Sequence, residues 1–241
     1  MYSPVTIFNA TQLCQTRQEK ETTMPRIVIT CSSVVDEYYL TLLIISCLGL
    51  IVTLKRLISF FTWIFPTCFR SEKNLVRSYG SWALVTGATD GIGKAFADQL
   101  AQRGLNLILV SRSFQKLGTV AGEIKEKYPD TRLKIVEMDF AGGDMSEGLR
   151  RVEEASEGLD VGVLINNVGI TYPRAMFFHE MEEKVWRNIV RVNIEGTTRV
   201  TKIVLRGMLQ RGKGGIVNIG SGASVVVPSH PLFTVYAATK A

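Results

Sequence analysis

A parallel, doubly wound α/β sheet preceded by a membrane-crossing helix is the architecture that this chain of 241 residues predicts. Three observations carry it. Beyond residue 80, short apolar runs alternate with stretches of helical apolar spacing, the order of a parallel sheet with crossover helices. Those runs are apolar almost throughout, as in strands covered on both faces. Residues 38–54, YYLTLLIISCLGLIVTL, hold no Asp, Glu, Lys or Arg, which marks a span rather than a surface helix.

Residues 1–35 are polar and unpatterned and are expected to be disordered. Asn9-Ala10-Thr11 is a glycosylation sequon, usable only on a lumenal terminus. The anchor is assigned to 36–70. Seventeen helical residues reach about 25 Å, slightly less than a hydrocarbon core of about 30 Å. Lys55 and Arg56 can snorkel, and 57–65 adds a second apolar run with Trp63, lying in the interface or re-entering the bilayer. A core helix is the alternative, but an α/β domain starting near residue 81 has no slot for one. A cleaved signal peptide would start earlier and end on small residues. Asp36 and Glu37 precede the span, whereas Lys55, Arg56, Arg70, Lys73 and Arg77 follow it. That asymmetry places the remainder of the chain in the cytosol. Residues 71–80 are assigned to a linker and 81–241 to the sheet domain.

The net charge of +6 includes no block of five like charges, so nucleic acid is excluded as a partner. Cys14, Cys31, Cys47 and Cys68 lack metal-ligand spacing, and no metal site is expected. None of the four lies beyond residue 80, which suits a reducing compartment.

Strands are predicted at 81–86, 105–111, 132–138, 160–166 and 214–220. Helices are predicted near 91–103, 113–128, 145–157 and 178–211, with Gly104 and Pro129-Asp130 in the connections. Between the first strand and first helix stands Thr86-Gly87-Ala88-Thr89-Asp90-Gly91-Ile92-Gly93-Lys94. Gly87, Gly91 and Gly93 permit positive φ and close backbone approach, and the helix start offers unpaired N–H groups and a positive dipole end. Thr89, Asp90 and Ile92 complete this candidate pyrophosphate loop of a dinucleotide site. The second strand ends at Ser111-Arg112, where a carboxylate would bind a ribose 2′-hydroxyl. A guanidinium there can instead pair with a 2′-phosphate, which favours NADPH. Asp139, closing the third strand, can cap the next segment or meet the adenine amino group. Asn166, Asn167 and Gly169 follow the fourth strand; the asparagines can line the adenosine pocket, or one of them can tie neighbouring strands.

Asn193 is followed by Gly196 inside a helical pattern, and a glycine there costs about 1 kcal/mol. An irregular turn aimed at the site, or a kink without function, would account for it. The fifth strand runs into Ser221, at the carboxyl edge where such sheets bind ligands. Tyr236 and Lys240 are four apart, hence on one face of a helix. An ammonium beside a phenol favours the phenolate, which makes the tyrosine an acid usable near neutral pH.

Together, Thr86-Gly87…Gly91-Ile92-Gly93, Asp139, Asn166-Asn167-Val168-Gly169, Asn193, Ser221 and Tyr236…Lys240 resemble the short-chain dehydrogenase/reductase family over residues 81–241. The membrane stretch, Tyr79-Gly80-Ser81-Trp82-Ala83 and Gly104-Leu105-Asn106-Leu107 narrow the resemblance to the very-long-chain 3-oxoacyl-CoA reductases of plant type, relatives of the 17β-hydroxysteroid dehydrogenase type 12 group. What the resemblance implies is a Rossmann-type fold and reduction of the 3-keto group of an acyl-CoA with NADPH during fatty-acid elongation. It also implies an endoplasmic reticulum membrane location with the domain facing the cytosol, beside other elongase components. By the same resemblance Tyr236 donates a proton to the developing alkoxide. Lys240 bonds the nicotinamide ribose, Ser221 holds the carbonyl oxygen and Asn193 supports a proton relay.

Val168 stands where the family has alanine. The family's usual serine position, thirteen before the tyrosine, is Ala223; Ser221 is fifteen before and Ser224 twelve. Ser221 is preferred because it directly follows the fifth strand. Family members continue beyond the lysine helix with two more strands, so the domain is expected to be C-terminally incomplete, with 214–220 as an exposed edge and little or no turnover. A membrane-anchored NADP-binding or partner-binding protein without activity is one alternative function. A steroid ketone reductase is the other.

Overall fold

The structure is a computed structural model that describes residues 10–69, 73–142, 144–226 and 230–241. The chain forms two compact units, Met1–Glu72 and Lys73–Ala241.

The first unit is one helix, α1, Ala10–Phe69. Residues 10–35, expected to be disordered, are helical. The helix runs through Pro25, which lacks an N–H and so interrupts the ladder at that position. Residues 1–9, with the sequon asparagine, lie outside the described residues. The apolar stretch is also longer than 38–54: Tyr38–Pro66 is 29 residues, holds an 18-residue window of mean hydropathy 2.0, and is long and apolar enough to cross a membrane. The helix continues unbroken through Lys55 and Arg56, so 57–65 prolongs it and does not form a separate re-entrant segment.

The second unit begins earlier than residue 81. Within the expected linker, α2 (Leu75–Ser78) is capped by the Asn74 side chain, which accepts from the Arg77 N–H at 3.0 Å. Leu75, Val76 and Tyr79 pack against the sheet. Gly162 makes this possible, because a Cβ there would stand 2.1 Å from the Tyr79 carbonyl oxygen.

Five parallel strands follow: β1 (Trp82–Thr86), β2 (Asn106–Ser111), β3 (Leu133–Glu137), β4 (Val161–Asn166) and β5 (Gly215–Asn218), in the order β3-β2-β1-β4-β5. Each predicted strand is present, shorter by one to three residues. Alternate side chains feed two cores. Ala83, Val85, Leu107, Leu109, Val163 and Ile165 meet α3 (Gly91–Gln102) and α4 (Phe114–Lys127). Leu84, Ile108, Val110, Val136 and Leu164 meet α5 (Ser146–Ser156) and α7 (Thr197–Arg211). Leu84, Ile108 and Leu164 are fully buried, and each stabilises the fold by about 1.5–3 kcal/mol relative to exposure. Because both faces are packed, the strands carry no polar alternation. β5 is the last strand of the sheet among the described residues, and its Ile216 and Val217 remain exposed.

The single helix expected over 178–211 is four pieces: a 3-10 turn at Phe178–Glu180, α6 (Glu183–Val190), a π-turn at Arg191–Gly196, and α7. Two short helices close the chain after β5, α8 (Gly222–Val225) and α9 (Thr234–Thr239), with a 3-10 turn at Pro231–Phe233 between them.

Candidate functional site

At the carboxyl end of β1 the chain turns through Gly87 and Gly91, at φ +64° and +51°, conformations that a side chain would strain. Gly93 is required for a different reason: a Cβ there would lie 2.2 Å from the Gly87 carbonyl oxygen and 2.5 Å from Asn167 Nδ2. The start of α3 therefore seats directly against the loop. Asp90 caps that helix, its carboxylate accepting from the Gly91 N–H at 2.8 Å. The first-turn amides of Ile92 and Gly93 have no intrahelical acceptor by position, the arrangement that suits helix N-termini to anions. No atom lies within 4 Å of where a Gly91 Cβ would stand, so the outer surface of the loop is open to a phosphate. The Ile92 side chain points elsewhere, into an apolar groove with Phe96 and Ile216; only its backbone can serve the loop.

Thr86, which heads the glycine stretch in the sequence but was given no role of its own there, organises the floor. Its hydroxyl donates to the Ile165 carbonyl at 3.3 Å and accepts from the Asn167 and Val168 N–H groups at 3.0 and 3.1 Å. Asn167 Nδ2 donates to the Thr86 and Gly87 carbonyls, both at 3.1 Å, so this side chain fixes the loop. Asn166 is buried and turned the other way, donating to Thr201 Oγ1 and Asn218 Oδ1, each at 2.9 Å. It ties β4 to α7 and β5, and its side chain does not line the cleft beside the loop. Of the two roles left open for the pair, the structural one falls to Asn166, with Asn167 serving the loop.

Beside the loop lies a cleft of about 220 Å³, lined by Gly87, Ser111, Arg112, Asp139, Asn167 and Gly169 among others. Thr89 joins its rim, hydroxyl to hydroxyl with Ser111 at 3.0 Å. Arg112 is exposed at the end of β2, with no carboxylate in the position it occupies. Asp139 accepts from the Ala141 N–H at 2.9 Å, the capping arrangement, while still lining the cleft.

The π-turn accounts for Asn193. One extra residue per turn swings this side chain inward, where it is buried. Its Oδ1 accepts from the Ile170 N–H at 2.9 Å, and its Nδ2 donates to the Ile170 carbonyl at 3.0 Å and to Thr239 Oγ1 at 2.9 Å. Thr239 in turn donates to the Tyr236 carbonyl at 2.9 Å. The irregular turn expected from Gly196 is present, and Gly196 is needed there because a Cβ would stand 2.5 Å from the Phe140 ring.

Lys240 ends α9 and reaches back over the sheet edge. Its Nζ donates to the Ile219 carbonyl at 3.0 Å and stands 2.8 Å from where a Gly169 Cβ would be. A side chain at 169 would have to displace the end of this lysine from its present position. Partial burial holds the Lys240 ammonium below the ordinary lysine range. Ser221 caps α8, accepting from the Ala223 N–H at 3.2 Å. Ser224 is committed elsewhere, with its hydroxyl on the Ser221 and Lys240 carbonyls at 2.7 and 2.8 Å. Tyr236 is half-buried on an apolar cluster with Tyr172, Met181 and Ile189. Among the described residues no group of His, Cys, Asp or Glu is arranged to hold a metal.

A doubly wound sheet with a glycine turn after β1, an open cleft at the switch of strand order and a tyrosine–lysine helix at the carboxyl edge defines a nucleotide-binding oxidoreductase. Residues 81–241 match the family model described as short chain dehydrogenase. The chain belongs to that family. It is 55% identical over 177 residues to a very-long-chain 3-oxoacyl-CoA reductase-like protein of Arabidopsis thaliana, covering 73% of this chain and 56% of that one. It is 44% identical over 172 residues to the inactive hydroxysteroid dehydrogenase-like protein 1 of Homo sapiens, covering 71% and 50%. Among solved structures, a short-chain dehydrogenase from Sphingobium yanoikuyae in complex with NADPH superposes with a TM-score of 0.59 at 29% identity, covering 66% and 60%. The chain spans about half the length of the curated relatives it matches.

Proposed function

We propose that the protein is a membrane-anchored oxidoreductase that reduces the 3-keto group of long-chain 3-oxoacyl-CoA with NADPH, in the endoplasmic reticulum membrane with its domain toward the cytosol. The observation that carries the reading is the convergence of Lys240 Nζ and Asn193 Oδ1 on Gly169, a residue that lines the same cleft as Arg112. When bound, NADPH supplies the hydride. The glycine loop and the first-turn amides of α3 bind the pyrophosphate, and Arg112 pairs with the 2′-phosphate. Lys240 bonds the nicotinamide ribose, and its ammonium favours transfer of the Tyr236 proton to the developing alkoxide. Ser221 orients the substrate carbonyl, and Asn193 holds the 169–170 wall in place. The name of the Arabidopsis relative supports the acyl-CoA substrate, and the apolar span of α1 supports the membrane setting. Other elongase components are the partners this setting implies.

A second reading has a specific observation behind it: the human relative is named inactive. A membrane-anchored protein that binds NADPH without turnover would keep the loop and cleft. Two measurements on membranes carrying the chain separate the readings. NADPH binding is expected to exceed NADH binding and to lose that margin in Arg112→Ala. Loss of absorbance at 340 nm is followed with a long-chain 3-oxoacyl-CoA, and Tyr236→Phe is expected to lower any such rate by about a hundredfold or more. Binding without turnover favours the second reading. No preference for NADPH sinks both.

A further inference from the structure

We infer that Tyr172 is a positioning residue for the tyrosine–lysine helix, acting as its N-cap from a distant part of the chain; this deepens the reading above and rests on it for its functional consequence. α9 has six residues, and its N-cap position is Phe233, which has no side-chain cap to offer. A helix this short is marginal by itself, and its first N–H groups need acceptors. The Tyr172 hydroxyl accepts the Val235 N–H at 2.9 Å, a bond across 63 positions of sequence, and Val235 is the second residue of α9. The ring of Tyr172 stacks on Phe233, the residue at the cap position, with centroids 5.3 Å apart and an interplanar angle of 28°. Tyr172 is itself only 4% exposed, against Met181 and Ile189. One side chain thus supplies both the missing acceptor and the apolar contact that normally fixes a helix entry. Its place in sequence ties the two ends of the site: it lies two residues beyond Ile170, which Asn193 grips, and Asn193 also bonds Thr239 at the far end of α9. α9 is held at its start by Tyr172 and at its end by Asn193, and Tyr236 and Lys240 are set by that pair of ties.

The test compares the full chain with Tyr172→Phe, which keeps the stacked ring and removes only the acceptor. Exchange of the Val235 amide is expected to speed up about fivefold or more, while the Leu84 and Ile108 amides of the core strands stay as they were. Binding supplies the readout that a general loss of stability would not produce. Affinity for NADPH, which reaches Lys240, is expected to fall about fivefold, while affinity for 2′,5′-ADP, which ends at the loop and Arg112, stays within about twofold. Unchanged Val235 exchange, or equal loss for both ligands, overturns the inference. If the unmodified chain binds neither ligand, the proposed function fails, and the Val235 exchange still decides whether Tyr172 caps α9.

Discussion

Gly93 shows how little freedom single positions around the cleft have. Its neighbours at the site of a Cβ are the Gly87 carbonyl oxygen and the Asn167 amide, at 2.2 and 2.5 Å. Neither is the end of a flexible side chain free to swing away: the first is backbone, and the second is held by two carbonyl bonds. Gly93→Ala must therefore push α3 off the loop. The expected cost is about 1–3 kcal/mol of stability by urea denaturation, with NADPH affinity reduced at least about tenfold. Gly91→Ala makes the contrast, because open space surrounds that position and only its positive φ opposes a side chain; its stability loss should be the smaller of the two. The spacing of the glycines was legible in the sequence because a turn from strand to helix needs them. The approach of Lys240 to Gly169, 71 positions earlier, was not.

The elements were legible wherever local chemistry decides them. Apolar runs gave the strands, and Gly104 and Pro129 stood in the connections that were expected. The stretch 178–211 shows where pattern stops informing. Apolar spacing continues across it, and a π-turn differs from an α-turn by a single residue that no local propensity announces. Only Gly196 hinted at the break. The π-turn is fixed by long-range bonds: three hydrogen bonds from Asn193, two to Ile170 and one to Thr239. Tyr172 escaped the sequence reading for the same reason, since its partner is 63 positions away. Asn193→Ala removes all three bonds and leaves the Ile170 backbone groups without that partner. The expected loss is about 2–4 kcal/mol of stability, read as a lower urea midpoint with an unchanged slope, together with faster amide exchange across α9. A variant that lost stability while leaving α9 exchange as it was would separate the π-turn from the tyrosine–lysine helix.

At the scale of the whole molecule, the proposed membrane setting predicts which part of α1 lies in the bilayer. Tyr38–Pro66 is about 44 Å of helix, more than a hydrocarbon core of about 30 Å requires. Centring the membrane on that stretch would bury Lys55 and Arg56 near the midplane, at about 2.5–3.5 kcal/mol each on an insertion scale. Centring it on 38–54 moves both to the boundary, where their stems can snorkel. The second arrangement costs less, and under the proposed membrane setting the excess of Lys and Arg after the span predicts that end on the cytosolic side. Two cysteines report on it. Cys47 lies within 38–54 and Cys68 beyond the cations, and both are unpaired and exposed on the helix. In microsomes carrying the chain with Cys14→Ser and Cys31→Ser, a membrane-impermeant maleimide should modify Cys68 without detergent. Cys47 should resist until the bilayer is dissolved. Labelling of Cys47 in sealed vesicles would place the hydrocarbon core elsewhere on the helix. Protection of Cys68 would reverse the orientation and put the domain on the lumenal side, away from any cytosolic pool of NADPH.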